Sequence, residues 1–420
     1  MKRANRIDRQ VAACRGRRSV GGAITMNRGL VIALLLIMTV QLLLAATTLD
    51  AAEEQWLQYR LSKEMYNQHA YARRQNIECV VRAPEGVDLP AFASDQVLYG
   101  CWTTPMVEAG FLHVAINFRD NLRRTGSFLF IDADCDGSLA DENPIKAISQ
   151  SSSWLQFPGV KILFPGDDGP ITYHANVQFY CREETKRLYF SAAGWYEGDI
   201  TIGEDRQHCL LIDYNSNGAF NDSSFAVGKG DQIKIGAKNS LDERYLGTYL
   251  QIGTTIYDLE VARDGSHLAI LPAHDVPVGS VQVPDEIDSV SFVGELGHIV
   301  WNTSRGEPQV PAGRWIVNSW QINRRAEDGK MWSLSGTGFP AKSAFDVQQG
   351  QRLSLDIGEP LRAKLIAEKT GDRYSFEEKL EGREGERITV YCEGRRPKAP
   401  RLQIKDAGGD LQQDLAFQYG

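Results

Sequence analysis

The sequence predicts a mainly β protein: two or three β-sandwich-like domains following an N-terminal signal or anchor helix. Three observations carry that prediction. Strand-length runs that alternate apolar and polar residues follow one another after Cys79, Asp-Gly turns join several of them, and a long apolar run stands near the N-terminus. Alternation of this kind is the signature of half-buried strands, and short strands with frequent turns suit sandwiches or barrels rather than βαβ units.

The apolar run is Leu30–Leu44 (LVIALLLIMTVQLLL), uncharged, with one amide at Gln41. Basic residues from Lys2 to Arg28 precede it, and the small residues Ala45, Ala46, Ala51 and Ala52 follow. That order is the one a secretory signal peptide has, and cleavage is expected near Ala52. Met26 is a more ordinary start for such a signal than Met1. The alternative is an uncleaved membrane anchor, since Gly29–Thr48 approaches the ~20 residues that span a bilayer. Either way the rest of the chain is expected to be exported to the periplasm, cell envelope or medium, and to touch a membrane only through an uncleaved N-terminal segment.

Residues 1–52 hold eight of the 46 Lys and Arg and two of the 54 acids, so the remaining 368 residues carry 38 bases against 52 acids, a net charge of −14. Such a surface repels nucleic acid and attracts divalent cations. No basic stripe interleaved with aromatics offsets it, so nucleic acid is excluded as a partner. A chain of this length suits several cores. Six cysteines remain beyond residue 52 (Cys79, Cys101, Cys135, Cys181, Cys209 and Cys392). In an exported chain they permit disulfides without fixing a connectivity, and free buried thiols fit equally well.

Along the chain, residues 53–79 are expected to form a short helix or linker, because Leu57, Leu61 and Met65 recur every four residues. Residues 80–275 read as a β-domain. Phe111–Phe118, Ile171–Cys181, Leu188–Ala193 and Asp199–Ile202 alternate as strands do, and Thr255–Val261 and His267–Leu271 flank an Asp264-Gly265 turn as a hairpin. The proline-bearing stretch Leu271–Pro284 closes that unit. Residues 276–356 read as a β-sandwich-like unit with a second hairpin, Arg314–Asn323 returning through Met331–Leu334 after Asp328-Gly329. A softer break at Gly350–Pro360 leads into a C-terminal β unit, residues 357–420. The turn Val310-Pro311-Ala312-Gly313-Arg314-Trp315 resembles the "P-x-G-x-aromatic" turn of transthyretin-like and carboxypeptidase-regulatory-like β-sandwiches. The resemblance covers two or three strands and implies a sandwich there.

One chemical pattern occurs twice. Residues 130–142 read FIDADCDGSLADE and residues 211–223 read LIDYNSNGAFNDS, agreeing at eight positions. Calcium takes six to eight oxygens at about 2.3–2.6 Å, and a loop offers them to one side when alternate residues point inward. The expected ligands in the first loop are Asp132, Asp134, Asp136, the backbone carbonyl of Ser138, and Asp141. In the second they are Asp213, Asn215, Asn217, the carbonyl of Ala219, and Asp222. Gly137 and Gly218 make the sharp bend, and Leu139 and Phe220 turn back into the core. The first half of each loop resembles the calcium loops of EF-hands, dockerins and thrombospondin type 3 repeats. It departs from the EF-hand where that family has a bidentate Glu: position twelve is Asn143 in one loop and Ser224 in the other, while both carry Asp at position ten. The flanks also read as strands, not helices. Solvated turns rich in Asp, Asn and Gly are the bland alternative, and it is stronger for the second loop, which has only two carboxylates.

No HExxH, GxSxG or Walker lysine loop occurs, and no catalytic or organic-cofactor residue is nominated. Cys135 sits among carboxylates, which should raise its thiol pKa and blunt its nucleophilicity. Trp102, Trp195, Trp301, Trp315, Trp320 and Trp332 can stack on sugars or fill a core. The expected function is a calcium-stabilised, non-enzymatic binding or scaffold module for an envelope or extracellular ligand, carbohydrate among the options; the alternative is an exported carbohydrate-active hydrolase using paired carboxylates. The overall style is similar to secreted bacterial β-proteins that mix EF-hand-like loops with sandwich units. The signal reading is checked at the protein's own N-terminus: sequencing the purified protein should find a new start near Ala52, whereas an intact Met1 or Met26 would make the segment an anchor.

Overall fold

The structure, a computed structural model, describes residues 53–62, 70–119, 127–150, 153–182, 185–226 and 228–419. The signal or anchor segment lies outside them. Among the described residues there are two single-turn 3-10 helices, no α-helix, and strands nearly everywhere else. The mainly β expectation is met, in several sheets. The largest has twelve strands, two have five each, and the rest have four, three and two.

The strand readings agree closely with these elements. Phe111–Asn117, Ile171–Arg182 and Thr185–Ala192 are strands, and Asp199–Ile202 closes the strand Gly194–Ile202. The hairpin Thr255–Val261/His267–Pro272 pairs antiparallel, as does Gly313–Arg325 with Met331–Thr337. The helix expected from Glu53 onward does not form where the chain is described. Gln55–Trp56 pairs with His267 and Leu268, Gln58–Leu61 pairs with Gly194–Glu197, and Gln75–Glu78 pairs with Arg187–Phe190. Met65 lies outside the described residues. Of the two leucines thought to share a helical face, Leu57 is buried and Leu61 exposed. Long-range pairing, not a local helical stripe, sets this segment.

Two large hydrophobic clusters fill the space between sheets, beside a smaller one of Tyr99, Ala115, Phe130 and Leu139 and another of Ala70, Ala72 and Ile212. Of the large pair, one gathers side chains from Leu57 to Leu268 and the other from Val281 to Ile388. The clusters change over within the proline-bearing stretch, yet the twelve-stranded sheet runs across it: Tyr249 and Leu250 pair in parallel with Gly297 and His298. At the heart of the first cluster Trp102 stacks on Phe190, centroids 5.2 Å apart, and on Tyr173 at 5.7 Å. In the second, Trp320 lies across its ladder partner Gly336, where a Cβ would come within 2.4 Å of the indole. The Trp320 indole N–H donates to the buried Glu386 (2.8 Å). Trp102, Trp301, Trp315 and Trp320 are all buried, which assigns them to cores rather than to a sugar platform. The six cysteines beyond residue 52 are all free thiols.

His298 sits at the seam between the clusters. Its Nδ1 faces the backbone N–H of Tyr245 (3.4 Å), and its Nε2 is buried without a hydrogen-bond partner. Burial, with the Arg244 guanidinium nearby, lowers its pKa to about 3. A histidine neutral in the fold but able to protonate when unfolded withholds a proton below pH ~6.5. Its contribution to stability is therefore present above that pH and lost as the pH falls. Between pH 7 and pH 5 the protein should lose about 2 kcal/mol through this residue. Paired urea titrations should show the loss reduced in His298→Gln; an identical pH slope in both proteins would clear His298 of the role.

Candidate metal centre

Each repeated loop begins where a buried strand ends. Phe128–Ile131 runs into Asp132, and Asp205–Ile212 runs into Asp213. Both aspartates are almost wholly buried, at 2% and 0% exposure. A carboxylate that leaves water needs donors or a cation, and the chain supplies donors first. The N–H of Gly137 donates to Asp132 Oδ2 (3.1 Å), and the N–H of Gly218 to Asp213 Oδ2 (2.8 Å).

The backbone repeats as faithfully as the sequence. The fourth residue of each loop is left-handed, Cys135 at φ 67° and Ser216 at φ 58°, and so is the sixth, Gly137 at 87° and Gly218 at 94°. Ser138 N–H donates to Asp136 Oδ1 (2.8 Å), as Ala219 N–H does to Asn217 Oδ1 (2.9 Å). Leu139 and Phe220 are buried as expected, and both tie their N–H to a distant carbonyl, of Asp88 and of Arg263. Even the N–H of the second residue has matching partners. Ala133 donates to Glu142 and Tyr214 to Asp231 (3.0 Å).

Loop one brings acids together. Carboxylate oxygens of Asp132, Asp134 and Glu142 lie within 4.8 Å of one another, and so do those of Asp134, Asp136 and Asp141. Asp134 belongs to both groups. Within this crowd Asp132 Oδ1 is buried and accepts no hydrogen bond. The electrostatics follow from the crowding. Burial first, and the charges of Asp136 and Asp134 after it, push the Asp132 carboxyl up to about 6, against the pull of the Gly137 amide. Burial and the same neighbourhood of acids raise Glu142. The Cys135 thiol is pushed up to about 12 by burial and then by Asp132, Asp134, Glu142 and Asp136, so it is a poor nucleophile. An all-oxygen acidic set with one buried oxygen unaccounted for could hold a hard metal ion.

Loop two closes differently. Where loop one has Asp134 and Asp136, it has Asn215 and Asn217, and both amides donate to Asp222 Oδ2 (2.9 and 2.5 Å). Asp213 accepts from Asn217 N–H (3.1 Å), Gly218 N–H and the Tyr173 hydroxyl (2.8 Å). Burial raises Asp213 to about 7 in spite of these donors, and Asp231, buried beside Asp213 and Asp222, is held well above the usual carboxylate range. The two amide groups there give Asp222 hydrogen-bond donors where loop one offers further carboxylates. Loop two is also pinned from outside: the Ser216 carbonyl accepts from the Trp102 indole (3.0 Å) and from Gln75, while its hydroxyl bridges Ala192 and Arg73.

Of the expected ligands, Asp134 lies close to Asp132 in one group and to Asp136 and Asp141 in another, while Asp213, Asn215, Asn217 and Asp222 are bound into hydrogen bonds. Glu142 and Asp231 were not anticipated. Glu142 follows Asp141 directly, but loop two has Ser223 at that place, so a rule based on shared positions passes over it. Asp231 lies beyond the repeat.

Compared with family models, with curated proteins and with solved structures, the chain matches none.

The two glycines separate backbone strain from crowding. A Cβ at Gly137 would meet nothing within 4 Å, whereas at Gly218 it would come within 2.9 Å of the Phe164 ring. Gly137→Ala should cost only left-handed strain, about 1–2 kcal/mol. Gly218→Ala should cost about 1–3 kcal/mol more through overpacking. Chemical denaturation of both variants in chelator reads the difference, and equal losses would refute it.

Proposed function

We propose that this is an exported, non-enzymatic β-protein whose first loop binds calcium as a structural ion, and that it serves as a binding or scaffold module of the cell envelope or extracellular space. The buried, unpartnered Asp132 Oδ1 beside Asp134 and Glu142 is the observation that carries the metal half of the reading. Three acids in a partly desolvated space repel one another, and a doubly charged ion removes the repulsion while completing the shell. Oxygen-only donors favour a hard cation over zinc or copper. In loop two the amides of Asn215 and Asn217 already donate to Asp222, so an ion there would be held more weakly than in loop one.

Export is supported by the N-terminal charge and hydropathy pattern. The scaffold reading draws on the same features, together with a raised Cys135 thiol and tryptophans engaged in packing. A partner would be an envelope or extracellular ligand that tolerates an anionic surface.

Extracellular calcium modules bind at around 10⁻⁴–10⁻³ M. Saturation linkage at about 10 mM calcium then stabilises the fold by roughly 1.4–2.7 kcal/mol. Melts in calcium and in chelator should differ accordingly, and Asp134→Ala should remove most of the difference. Superimposable melts would sink the metal assignment, and magnesium matching calcium would reassign the ion.

A further inference from the structure

The strands Arg362–Thr370 and Arg373–Glu381 form a ribbon that meets the large sheet only at its base, where Glu381 pairs with Arg387. Beyond that point most of its residues are exposed on both faces. The outer strand, Arg362–Thr370, ends the twelve-stranded sheet, and its free edge pairs with no other strand among the described residues. A two-stranded ribbon alone in water is marginally stable at best, and three or more strands with an apolar face are needed for independent stability. An open nine-residue edge is also a ready template for another chain.

The ribbon is two-faced. Strand alternation puts Leu365, Ala367, Tyr374 and Phe376 on one side, flanked by Lys369 and Glu378, and Arg362, Lys364, Glu368, Glu377 and Lys379 on the other, around Ile366. The apolar side is not covered: Leu365 is 56% and Tyr374 60% exposed, with the Tyr374 and Phe376 rings 6.2 Å apart in a stack.

We propose that this edge pairs with the same edge of a second copy of the chain, antiparallel about a two-fold axis through Ile366. The outer strand is complementary to itself in that register. All nine of its residues find partners: Lys364 of each copy faces Glu368 of the other, Leu365 faces Ala367, and Arg362 faces Thr370. The two Lys–Glu pairs flank an Ile366–Ile366 contact at the axis. Because the axis stands perpendicular to the ribbon, the two apolar sides join into one surface on a four-stranded sheet. A shift by one residue would set the apolar side of one copy beside the charged side of the other. Centring on Lys364 would place lysine against lysine. The interface is isologous, as in most homodimers.

Charge reversal tests the pairing. In the ribbon Glu368 faces only Ser375, while Lys364 also contacts Glu381, so Glu368→Lys is the cleaner change. Sedimentation of the purified protein over a concentration series should show a reversible dimer. Glu368→Lys and Lys364→Glu should each raise the dissociation constant about tenfold, since cross-strand charge pairs become like-charged at two symmetric places. Mixing the two variants should restore association, because each then offers what the other lacks. Circular dichroism and melting matched to the wild type would confirm that both variants fold. A protein that stays monomeric throughout, a dimer indifferent to both reversals, or a mixture that fails to recover would each overturn the proposal.

Discussion

A carboxylate placed at the end of a buried strand, with too little water to solvate it, is the constraint from which both loops follow. Asp132 and Asp213 each create that demand. Each is met first by a glycine N–H five residues on, which forces the chain to double back. The left-handed turns at the fourth and sixth positions are the geometry of that return. Beyond that shared bond the two loops differ. Asn215 and Asn217 turn amide hydrogens toward Asp222, whereas Asp134 and Asp136 add further negative charge. A change from amide to acid at two positions separates a loop whose side chains hydrogen-bond one another from one whose clustered carboxylates could hold a metal ion.

Loop two has a second duty in the packing. Ser216 is wholly buried, and its two oxygens join Trp102 from the four-stranded sheet, Ala192 from a five-stranded sheet, and the Arg73–Gln75 segment. Its left-handed backbone is thus held by groups from three parts of the chain. Such a residue is costly in isolation and persists because its surroundings fix it. Loop one stands nearer the surface, with Asp134, Asp136 and Asp141 exposed.

Much of this was legible in the sequence, for definable reasons. Period-two alternation and Asp-Gly turns located the hairpins to within a residue or two, since both are local properties of the chain. The repeated Asp pattern located the loops and the inward turn of Leu139 and Phe220. The helix expected at Leu57 and Leu61 failed because a spacing of four is even, and so fits a strand as well as a helix. Partners well over a hundred residues away decided it. Glu142 and Asp231 were hidden by the same distance effect at a smaller scale: each serves a backbone N–H that no spacing rule reveals. The role of the tryptophans became readable only through their burial.

The two large hydrophobic clusters share one ladder of backbone hydrogen bonds, through Tyr249 and Leu250 on one side and Gly297 and His298 on the other. The proline-bearing stretch between them resembles a linker in composition, but cutting the chain there would not free two self-sufficient halves. Each fragment would carry a raw strand edge where its neighbour had been, an invitation to aggregate. Among the described residues, the two large centres of packing are thus joined by a shared sheet across the proline-bearing stretch.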